Sequence, residues 1–278
     1  MCNNGAGAHG KVVNGKKRMD GIWQHNNLNY QNNIQDQFKA RKVACGRGRY
    51  LLTYETGSGP TVVLLHGAAS SWLSFKSQYR LLAPNYRLVA PNLRGHGGTP
   101  WHETEKIDEF YDDICAWFKE MNFAEPIILI GHSLGGYLSA RYAADNPDKV
   151  SRLVLISTCG SFEPGAVLFF LKTCWAGADA VHKFFPWLVN ISSQMAGCLS
   201  KVVFSQWNCW DAYPKIQAPS LIIFGTFDPL FSLKQGYRVK ELIPEADLKI
   251  VACGGHNPQI DHGDEVAQLI SQFLERQR

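Results

Sequence analysis

The sequence predicts an α/β fold in which helices flank a mostly parallel central sheet. From about residue 38 onward, short continuous apolar runs alternate with segments of helical periodicity. Such runs are typical of parallel strands buried on both faces, and their alternation with helices is typical of a doubly wound sheet. An aromatic-rich stretch, residues 160–210, interrupts the alternation between two predicted core strands. The chain is therefore expected to form one sheet domain that carries an insertion.

Eight segments are predicted to form strands. The first two are joined at Cys45-Gly46, and the other six are apolar runs bounded by turn residues and too short for core helices. In chain order the predicted strands are Lys39–Ala44, Arg49–Glu55, Thr61–Leu65, Arg87–Ala90, Ile127–Ile130, Leu153–Ile156, Leu221–Phe224 and Leu248–Val251.

Three segments between or after these strands show the apolar spacing of an amphipathic helix. The clearest is Ile107–Met121, whose apolar residues fall on one stripe. Leu134–Asn146 is expected to end where Pro147 follows, because the residue before a proline avoids helical backbone angles. The last predicted helix, Asp264–Gln277, places its apolar residues on one face.

The predicted domain organisation has three parts. Residues 1–36 are rich in Asn, Gly and Lys without sustained periodicity, which indicates a flexible N-terminal extension. Residues 37–159 and 211–278 form the predicted core. The insertion, residues 160–210, contains ten Phe and Trp residues and only five charged ones. Because folds of this kind bind ligands at the carboxyl ends of their parallel strands, the insertion is predicted to be a cap over the functional site.

Charge and composition exclude several function classes. The net charge of +4 comes from residues 1–49, which sum to +7, so the remainder of the chain is mildly acidic and a nucleic-acid partner is not expected. No apolar run approaches the roughly 18 residues of a membrane span, and the N-terminus lacks the apolar segment of a signal peptide. The eight scattered cysteines are expected to be reduced thiols, so a cytoplasmic protein is predicted, with its oligomeric state left open.

Neither a cofactor nor a metal ion is expected. Residues 5–10 formally fit the dinucleotide fingerprint G-x-G-x-x-G, but that fingerprint requires a strand before it and a helix after it, and neither is predicted. Cys253 and His256 form a lone C-x-x-H pair without the further ligands of a zinc site.

The strongest chemical signal is the motif G-x-S-x-G at residues 131–135, followed by Gly136. It lies directly between a predicted strand and a predicted helix, which is the setting of a nucleophile elbow: a sharp turn that exposes a serine hydroxyl at the edge of the sheet. The glycines allow the tight turn, and the start of the helix places N–H groups beside the hydroxyl. Ser133 is therefore the predicted nucleophile.

A serine hydroxyl needs a base to take its proton, and an acid that could orient this base and a histidine that could act as the base both follow Ser133 in the chain. Asp228 follows the strand Leu221–Phe224, and His256 follows Leu248–Val251. His256 is the predicted base, and Asp228 is predicted to fix its tautomer and stabilise the imidazolium. An oxyanion hole is expected to form from two main-chain N–H groups. One is that of Ala68, in the loop after Thr61–Leu65, and the other is that of Leu134, directly after Ser133.

Taken together, these motifs resemble those of the α/β-hydrolase superfamily, in its esterase-like serine hydrolase branch. The resemblance covers about residues 38–276 and adds the blocks His66-Gly-Ala68, Pro91–Gly97 and the glycines before His256. It implies an α/β-hydrolase fold with a helical cap inserted between core strands. It also implies that His66, Arg94 and His96 are structural. The family often has Asp where Asn92 stands, a departure in a loop that is interpreted as structural.

Ser-His-Asp chemistry suits acyl transfer through an acyl-enzyme intermediate, and the aromatic insertion favours a small-molecule substrate with an apolar acyl or alkyl group. Carboxylic esters are the leading expectation, followed by thioesters. Carbon–carbon bond hydrolases and perhydrolases share the triad and stay open as alternatives. His132 before the serine favours esterases.

Two further hypotheses belong to other classes. The chain could be a hydrolase-like ligand receptor in which the cap responds to the ligand, since fold alone does not determine function. Alternatively, the basic N-terminal extension could tether a hydrolase to an anionic surface. Turnover of a generic ester separates the receptor from the enzyme, and the salt dependence of association tests the tether.

Overall fold

An eight-stranded sheet forms the centre of the protein in the computed structural model, which describes residues 37–162 and 202–276. The predicted N-terminal extension and most of the predicted cap lie outside these residues. In chain order the strands are β1 (Lys39–Ala44), β2 (Tyr50–Thr56), β3 (Thr61–Leu65), β4 (Arg87–Pro91), β5 (Ile127–His132), β6 (Val150–Ile156), β7 (Ser220–Gly225) and β8 (Ala246–Val251). All eight predicted strands are present, with bounds that shift by at most three residues.

The strands lie in the order β1-β2-β4-β3-β5-β6-β7-β8. β2 pairs antiparallel with β1 and β4, and the pairs from β4 through β8 are all parallel. The carboxyl ends of β3, β5, β7 and β8 therefore meet at one edge of the sheet. The predicted fold class, a mostly parallel sheet flanked by helices, is confirmed.

The centre of the sheet is buried on both faces. Every residue of β5 and β7 is buried, as expected for strands covered by helices on each side. The edge strand β8 differs from the prediction of a buried apolar run, because its residues alternate between half-buried and exposed before Val251. None of the strands described here pairs with its outer edge, so polar residues such as Asp247 and Lys249 occur in it.

Six α-helices of four or more residues flank the sheet in the described part of the chain. They are α1 (Lys76–Leu82), α2 (Asp108–Met121), α3 (Leu134–Asp145), α4 (Leu233–Leu242), α5 (Pro258–Asp261) and α6 (Gly263–Glu275). 3₁₀ turns cover Trp72–Phe75, Pro147–Lys149 and Tyr213–Lys215, and a three-residue α-helical turn covers Phe204–Gln206. No helix among residues 37–162 and 202–276 is long and apolar enough to cross a bilayer.

Helices α2, α3 and α6 begin and end within two residues of their predicted bounds. Helix α4 is absent from the sequence-based prediction, because its sequence is mostly polar and contains Gly236. The structure shows why the glycine is there: a Cβ at Gly236 would lie 3.1 Å from the ring of Phe224 on β7. A capping box between Ser232 and Gln235 defines the start of the helix.

The two ends of the predicted insertion meet beyond the carboxyl end of β6. The Cys209 N–H donates to the Gly160 carbonyl at 2.9 Å, and the Trp207 indole N–H donates to the Cys159 carbonyl at 2.8 Å. The Trp210 indole donates to the Ser161 hydroxyl at 2.9 Å. Residues 163–201, which complete the predicted cap, are outside the described part of the chain.

Candidate active site

Ser133 occupies the single position between the end of β5 and the start of α3. Its φ of 48° and ψ of −116° are strained for a residue with a side chain. The main chain can turn this sharply because the residues two positions before and after Ser133, Gly131 and Gly135, lack side chains. A Cβ at Gly135 would lie 2.0 Å from the Leu65 carbonyl oxygen, and one at Gly131 would lie 2.4 Å from the Gly135 carbonyl oxygen. The spacing of the motif is thus a steric requirement of the turn.

The three residues predicted to form the triad lie within hydrogen-bond distance of one another. His256 Nε2 is 3.0 Å from Ser133 Oγ. His256 Nδ1 is 3.1 Å and 3.0 Å from the two carboxylate oxygens of Asp228. The loops after β5, β7 and β8 supply these side chains, and the parallel strand order brings the loops to the same edge of the sheet.

The Asp228 side chain is held as an ionised acceptor. It is 1% exposed, and its Oδ1 accepts the N–H groups of Leu230 at 2.9 Å and Phe231 at 3.1 Å. Burial alone would raise the pKa of this carboxyl, but His256 and the two N–H groups outweigh burial and hold its pKa below the usual range. An ionised Asp228 only accepts, so the hydrogen of the neutral His256 ring is on Nδ1 and the lone pair of Nε2 faces Ser133.

The residues predicted to form the oxyanion hole lie in two segments close to Ser133. Leu134 is the first residue of α3 and is fully buried, and Ala68 is half-buried in the loop after β3. That loop passes close to Ser133, because a Cβ at Gly67 would lie 3.1 Å from Ser133 Cβ. The N-terminal end of α3 adds a positive dipole at the hydroxyl. The oxyanion hole of Ala68 and Leu134 stays a prediction.

The loops after β3 and β4 are fixed by two buried histidines. The His66 ring donates from Nδ1 to the Gly67 carbonyl at 2.8 Å and accepts the Leu93 N–H at Nε2 at 2.9 Å. The His96 ring likewise accepts the Ala69 N–H at 3.0 Å, and so fixes the loop directly after Ala68. Burial lowers the pKa of His96 to about 4 and that of His66 well below its usual value, so both rings are neutral. Both nitrogens of each ring are bonded to main-chain groups, so neither histidine can accept a proton from Ser133.

Asn92 closes the loop that contains His96. Its Oδ1 accepts the Trp72 N–H at 2.8 Å, and its Nδ2 donates to the Gly97 carbonyl at 2.7 Å. A carboxylate at this position could not donate the second hydrogen bond. This pair of bonds accounts for the Asn at position 92, where the α/β-hydrolase superfamily that the motifs resemble often has Asp.

Arg94 belongs to a buried ion network rather than to the site. Its side chain is 1% exposed and pairs with Asp113 at 2.7 Å and with Glu109 at 3.1 Å, both on α2. It also donates to the Thr104 hydroxyl at 2.8 Å. These contacts join the loop after β4 to α2.

Two residues at the site are not identified by the sequence pattern. Phe231 is buried beside the triad, with its ring centroid 5.5 Å from that of His256. The pattern marks His132 only as a weak indicator of esterases, yet its Nε2 lies 2.8 Å from the His256 carbonyl oxygen. Neither partner is near its residue in sequence, so no local signal could have revealed these contacts. Among the residues described, no group of His, Cys, Asp and Glu is arranged to hold a metal ion.

Comparison with known proteins agrees with this geometry. The sequence profile of the alpha/beta hydrolase family matches residues 62–269, which include the loops that carry Ser133, Asp228 and His256. The chain belongs to the alpha/beta hydrolase family. The resemblance inferred from the motifs is thereby confirmed.

Individual members of the alpha/beta hydrolase family show the range of the similarity. The chain is 25% identical over 250 residues to pimeloyl-(acyl-carrier protein) methyl ester esterase of Chromobacterium violaceum, covering 80% of this chain and 96% of that protein. It is 33% identical over 159 residues to 1-acylglycerol-3-phosphate O-acyltransferase of Arabidopsis thaliana, covering 52% of this chain and 37% of that protein. A crystal structure of a membrane phospholipase A superposes with a TM-score of 0.76 at 19% identity, covering 93% of this chain and 94% of that one.

Proposed function

We propose that this alpha/beta hydrolase cleaves a carboxylic ester or thioester with an apolar acyl or alkyl group, through an acyl-enzyme intermediate on Ser133. The observation that carries the proposal is the line of hydrogen bonds from Asp228 through both ring nitrogens of His256 to the Ser133 hydroxyl. A base oriented by a carboxylate and bonded to a serine on a strained turn is the arrangement that activates a weak nucleophile.

In the first half of the proposed reaction, Ser133 Oγ attacks the substrate carbonyl carbon while His256 Nε2 takes the hydroxyl proton. Asp228 stabilises the imidazolium, and the main-chain N–H groups of Ala68 and Leu134 bind the negative oxygen of the tetrahedral intermediate. Collapse of the intermediate breaks the bond to the alcohol or thiol. His256 gives its proton to the leaving group, and the acyl group stays on Ser133.

In the second half, a water molecule replaces the leaving group. His256 Nε2 takes a proton from the water as its oxygen attacks the acyl carbon, and a second tetrahedral intermediate forms. Its collapse releases the carboxylic acid, and His256 returns the proton to Ser133 Oγ. The same residues therefore act in both halves, first in one direction and then in reverse.

A chain of aromatic rings beside His256 supports an apolar substrate group. Phe231 lies 5.5 Å from the His256 ring, Phe162 lies 4.8 Å from Phe231, and Trp207 lies 5.0 Å from Phe162, measured between ring centroids. These rings extend from the triad to the residues where the insertion begins and ends. Phe162 is half-buried whereas Phe231 and Trp207 are buried, so an acyl or alkyl group bound against Phe162 would contact apolar surface.

The names of the two relatives also support ester chemistry. One is named for an esterase that acts on a methyl ester, and the other for the transfer of an acyl group to oxygen. Position 133 is a serine, which fits an acyl-enzyme mechanism. An aspartate at position 133 would suit the other hydrolytic chemistries of the alpha/beta hydrolase family.

The test is hydrolysis of p-nitrophenyl esters with short to long acyl chains by the wild type and by Ser133→Ala. We expect wild-type turnover with an optimum chain length, and a loss of at least about 10³-fold in kcat in the variant. Ser157→Ala is the matched control, because Ser157 is also buried with a positive φ of 44° and lies at the end of the neighbouring strand β6. That variant is expected to keep wild-type activity.

Two results would contradict the proposal. Turnover that survives in Ser133→Ala would show that another group is the nucleophile. A wild type that hydrolyses no ester or thioester would direct attention to the carbon–carbon hydrolase and to the ligand receptor.

A further inference from the structure

His132 lies where three loops of the site come together. It is the last residue of β5, directly before Ser133, and is 2% exposed. On one side is the loop after β3, where a Cβ at Gly67 would lie 2.6 Å from His132 Nδ1. On the other side is His256, whose ring centroid is 5.1 Å away. The ring therefore contacts both the predicted oxyanion loop and the loop that carries the predicted base.

The hydrogen bond to His256 fixes the protonation of the His132 ring. His132 Nε2 lies 2.8 Å from the His256 carbonyl oxygen, and a carbonyl oxygen only accepts, so Nε2 carries the hydrogen. Burial, together with the neighbouring His256, lowers the pKa of His132 to about 3, which keeps the ring neutral. His132 is consequently a donor of fixed direction, and it does not compete with His256 for the Ser133 proton.

The dipeptide His132-Ser133 contacts His256 at two points. The His132 ring contacts its main-chain carbonyl at 2.8 Å, and Ser133 Oγ contacts its ring Nε2 at 3.0 Å. The segment that leads to His256 contains Gly254 and Gly255 in succession, and glycine backbones lose the most conformational freedom on ordering. Without the bond from His132, the described contacts of the His256 residue would be those of its ring.

We propose that His132 is a positioning residue that fixes the main chain of His256 so that its imidazole meets the Ser133 hydroxyl. The inference rests on the proposed serine hydrolase function. Proton transfer requires the base within hydrogen-bond distance of the hydroxyl, and a misplacement of about 1 Å costs on the order of 10²-fold in rate. His132 acts through His256 and makes no contact with the reacting atoms of the substrate.

Two variants separate the hydrogen bond from the volume of the ring. His132→Gln keeps an N–H donor at about the distance of Nε2, whereas His132→Leu fills similar space without a donor. We expect His132→Leu to lower kcat for the best p-nitrophenyl ester by about 10- to 100-fold with KM within about twofold. His132→Gln is expected to recover kcat to within about fivefold of the wild type. If the Leu variant does not fold, His132→Asn, whose amide is too short to reach the carbonyl, replaces it with the same expectation.

A second readout avoids the acyl substrate. The rate at which a fluorophosphonate labels Ser133 is expected to fall in the same order, with wild type fastest, His132→Gln next and His132→Leu slowest. Trp117→Phe is the control for the loss of a buried ring N–H donor, because the Trp117 indole donates to Thr53 on β2 at 2.9 Å. This control is expected to lower the melting temperature while kcat and the labelling rate per folded molecule stay at wild-type values.

The outcomes distinguish this inference from the function on which it rests. An active wild type with kcat of His132→Leu within twofold overturns the positioning role alone. Equal losses in His132→Leu and His132→Gln overturn it as well, because the donor would then be irrelevant. A wild type that neither hydrolyses esters nor reacts with the fluorophosphonate overturns both proposals.

Discussion

Two groups of loops at the carboxyl edge of the sheet use histidine in different ways. In the scaffold loops, residues 66–71 and 92–99, both ring nitrogens of His66 and His96 are bonded to main-chain groups. In the triad loops, residues 226–231 and 252–257 together with Ser133, the His256 nitrogens are bonded to the side chains of Asp228 and Ser133. A histidine ring whose two nitrogens are both hydrogen-bonded to main-chain groups can only hold a loop in place. A ring between a carboxylate and a hydroxyl can take up and return a proton.

His132 connects the two groups. Its Nε2 bonds to a main-chain carbonyl, as the rings of the scaffold loops do, but the carbonyl is that of His256. The difference between the two groups of loops therefore predicts that variants in them will have different effects. Changes to the hydrogen-bonded side chains of the triad should reduce activity with little loss of stability, and changes to the buried polar side chains of the scaffold loops should do the reverse.

The largest effect is expected for Asp228→Asn. The amide keeps an oxygen for the N–H groups of Leu230 and Phe231, but its NH₂ group would face His256 Nδ1 and favour the wrong tautomer. We expect kcat for the best ester to fall by about 10⁴-fold with the melting temperature close to that of the wild type. Asp247→Asn, which alters an exposed carboxylate paired with Arg276, is the control and should keep kcat within twofold. A loss below tenfold in Asp228→Asn would contradict the role of this carboxylate.

In the scaffold loops, Arg94→Met should affect stability instead. It removes one of the two arginines that pair with the buried Asp113 among the described residues, so that only Arg49 remains. Breaking a buried pair costs about 3–5 kcal/mol of unfolding free energy. The activity per folded molecule should stay within about threefold of the wild type. Urea unfolding measures the first quantity and active-site titration the second.

Arg41→Met is the matched control for Arg94→Met. Arg41 also pairs with a glutamate, Glu55, but its side chain is 52% exposed, so its loss should cost less than about 1 kcal/mol. Equal losses of stability in the two variants would show that the Arg94 network does not hold the loop.

Acid should destabilise the protein partly through the neutral histidines. The pKa of His132 is about 3 in the folded state and about 6.5 in an unfolded chain, so the unfolded state binds more protons between these values. The contribution of His132 is thus fully present above pH 6.5 and is lost as the pH falls towards 3. His96 acts in the same direction, with its folded pKa at about 4.

The variant His132→Gln isolates one of these contributions. From pH 7 to pH 5 the wild type should lose about 1–2 kcal/mol more unfolding free energy than the variant, because glutamine does not titrate. Urea unfolding at the two pH values, with the m-value checked for constancy, gives the difference. An identical loss in both proteins would mean that the buried ring takes up a proton in the folded state.

The smallest effect is expected for Cys253→Ser. Cys253 precedes His256 by three residues, but its side chain is exposed and its N–H donates to the Thr226 hydroxyl. We expect an unfolding free energy within about 0.5 kcal/mol of the wild type and kcat within twofold. Loss of activity in this variant, or inhibition of the wild type by a thiol reagent, would contradict this expectation and show that the Cys253 thiol takes part in the reaction.

The features that depend on local pattern are predictable from the sequence. The buried strands Thr61–Leu65 and Ile127–His132 appear as apolar runs, and the turn at Ser133 appears as a motif whose glycines are required sterically. The order of the strands does not follow from local pattern, but their parallel arrangement is enough to place the loops after β5, β7 and β8 at one edge. The three predicted triad side chains lie together for that reason.

Features that depend on contacts between distant parts of the chain cannot be predicted from local sequence pattern. The partner of His132 is a carbonyl 124 residues away, so nothing in the sequence around Gly131–Gly135 points to it. Helix α4 is not predicted because half of its residues are Lys, Arg, Glu or Gln and because it contains Gly236, which is required by the close packing on Phe224. The exposure of β8 follows from its position at the edge of the sheet, which an apolar run alone does not reveal.

The central claim is that the Ser133 hydroxyl is the nucleophile and that His256 activates it. The most direct test is to treat the wild type, Ser133→Ala and His256→Ala with a fluorophosphonate and to map the adduct by peptide mass spectrometry. We expect one adduct per chain on Ser133 in the wild type, none in Ser133→Ala and labelling at least about 10²-fold slower in His256→Ala. An adduct on another residue, or equal labelling rates in the wild type and His256→Ala, would contradict the claim.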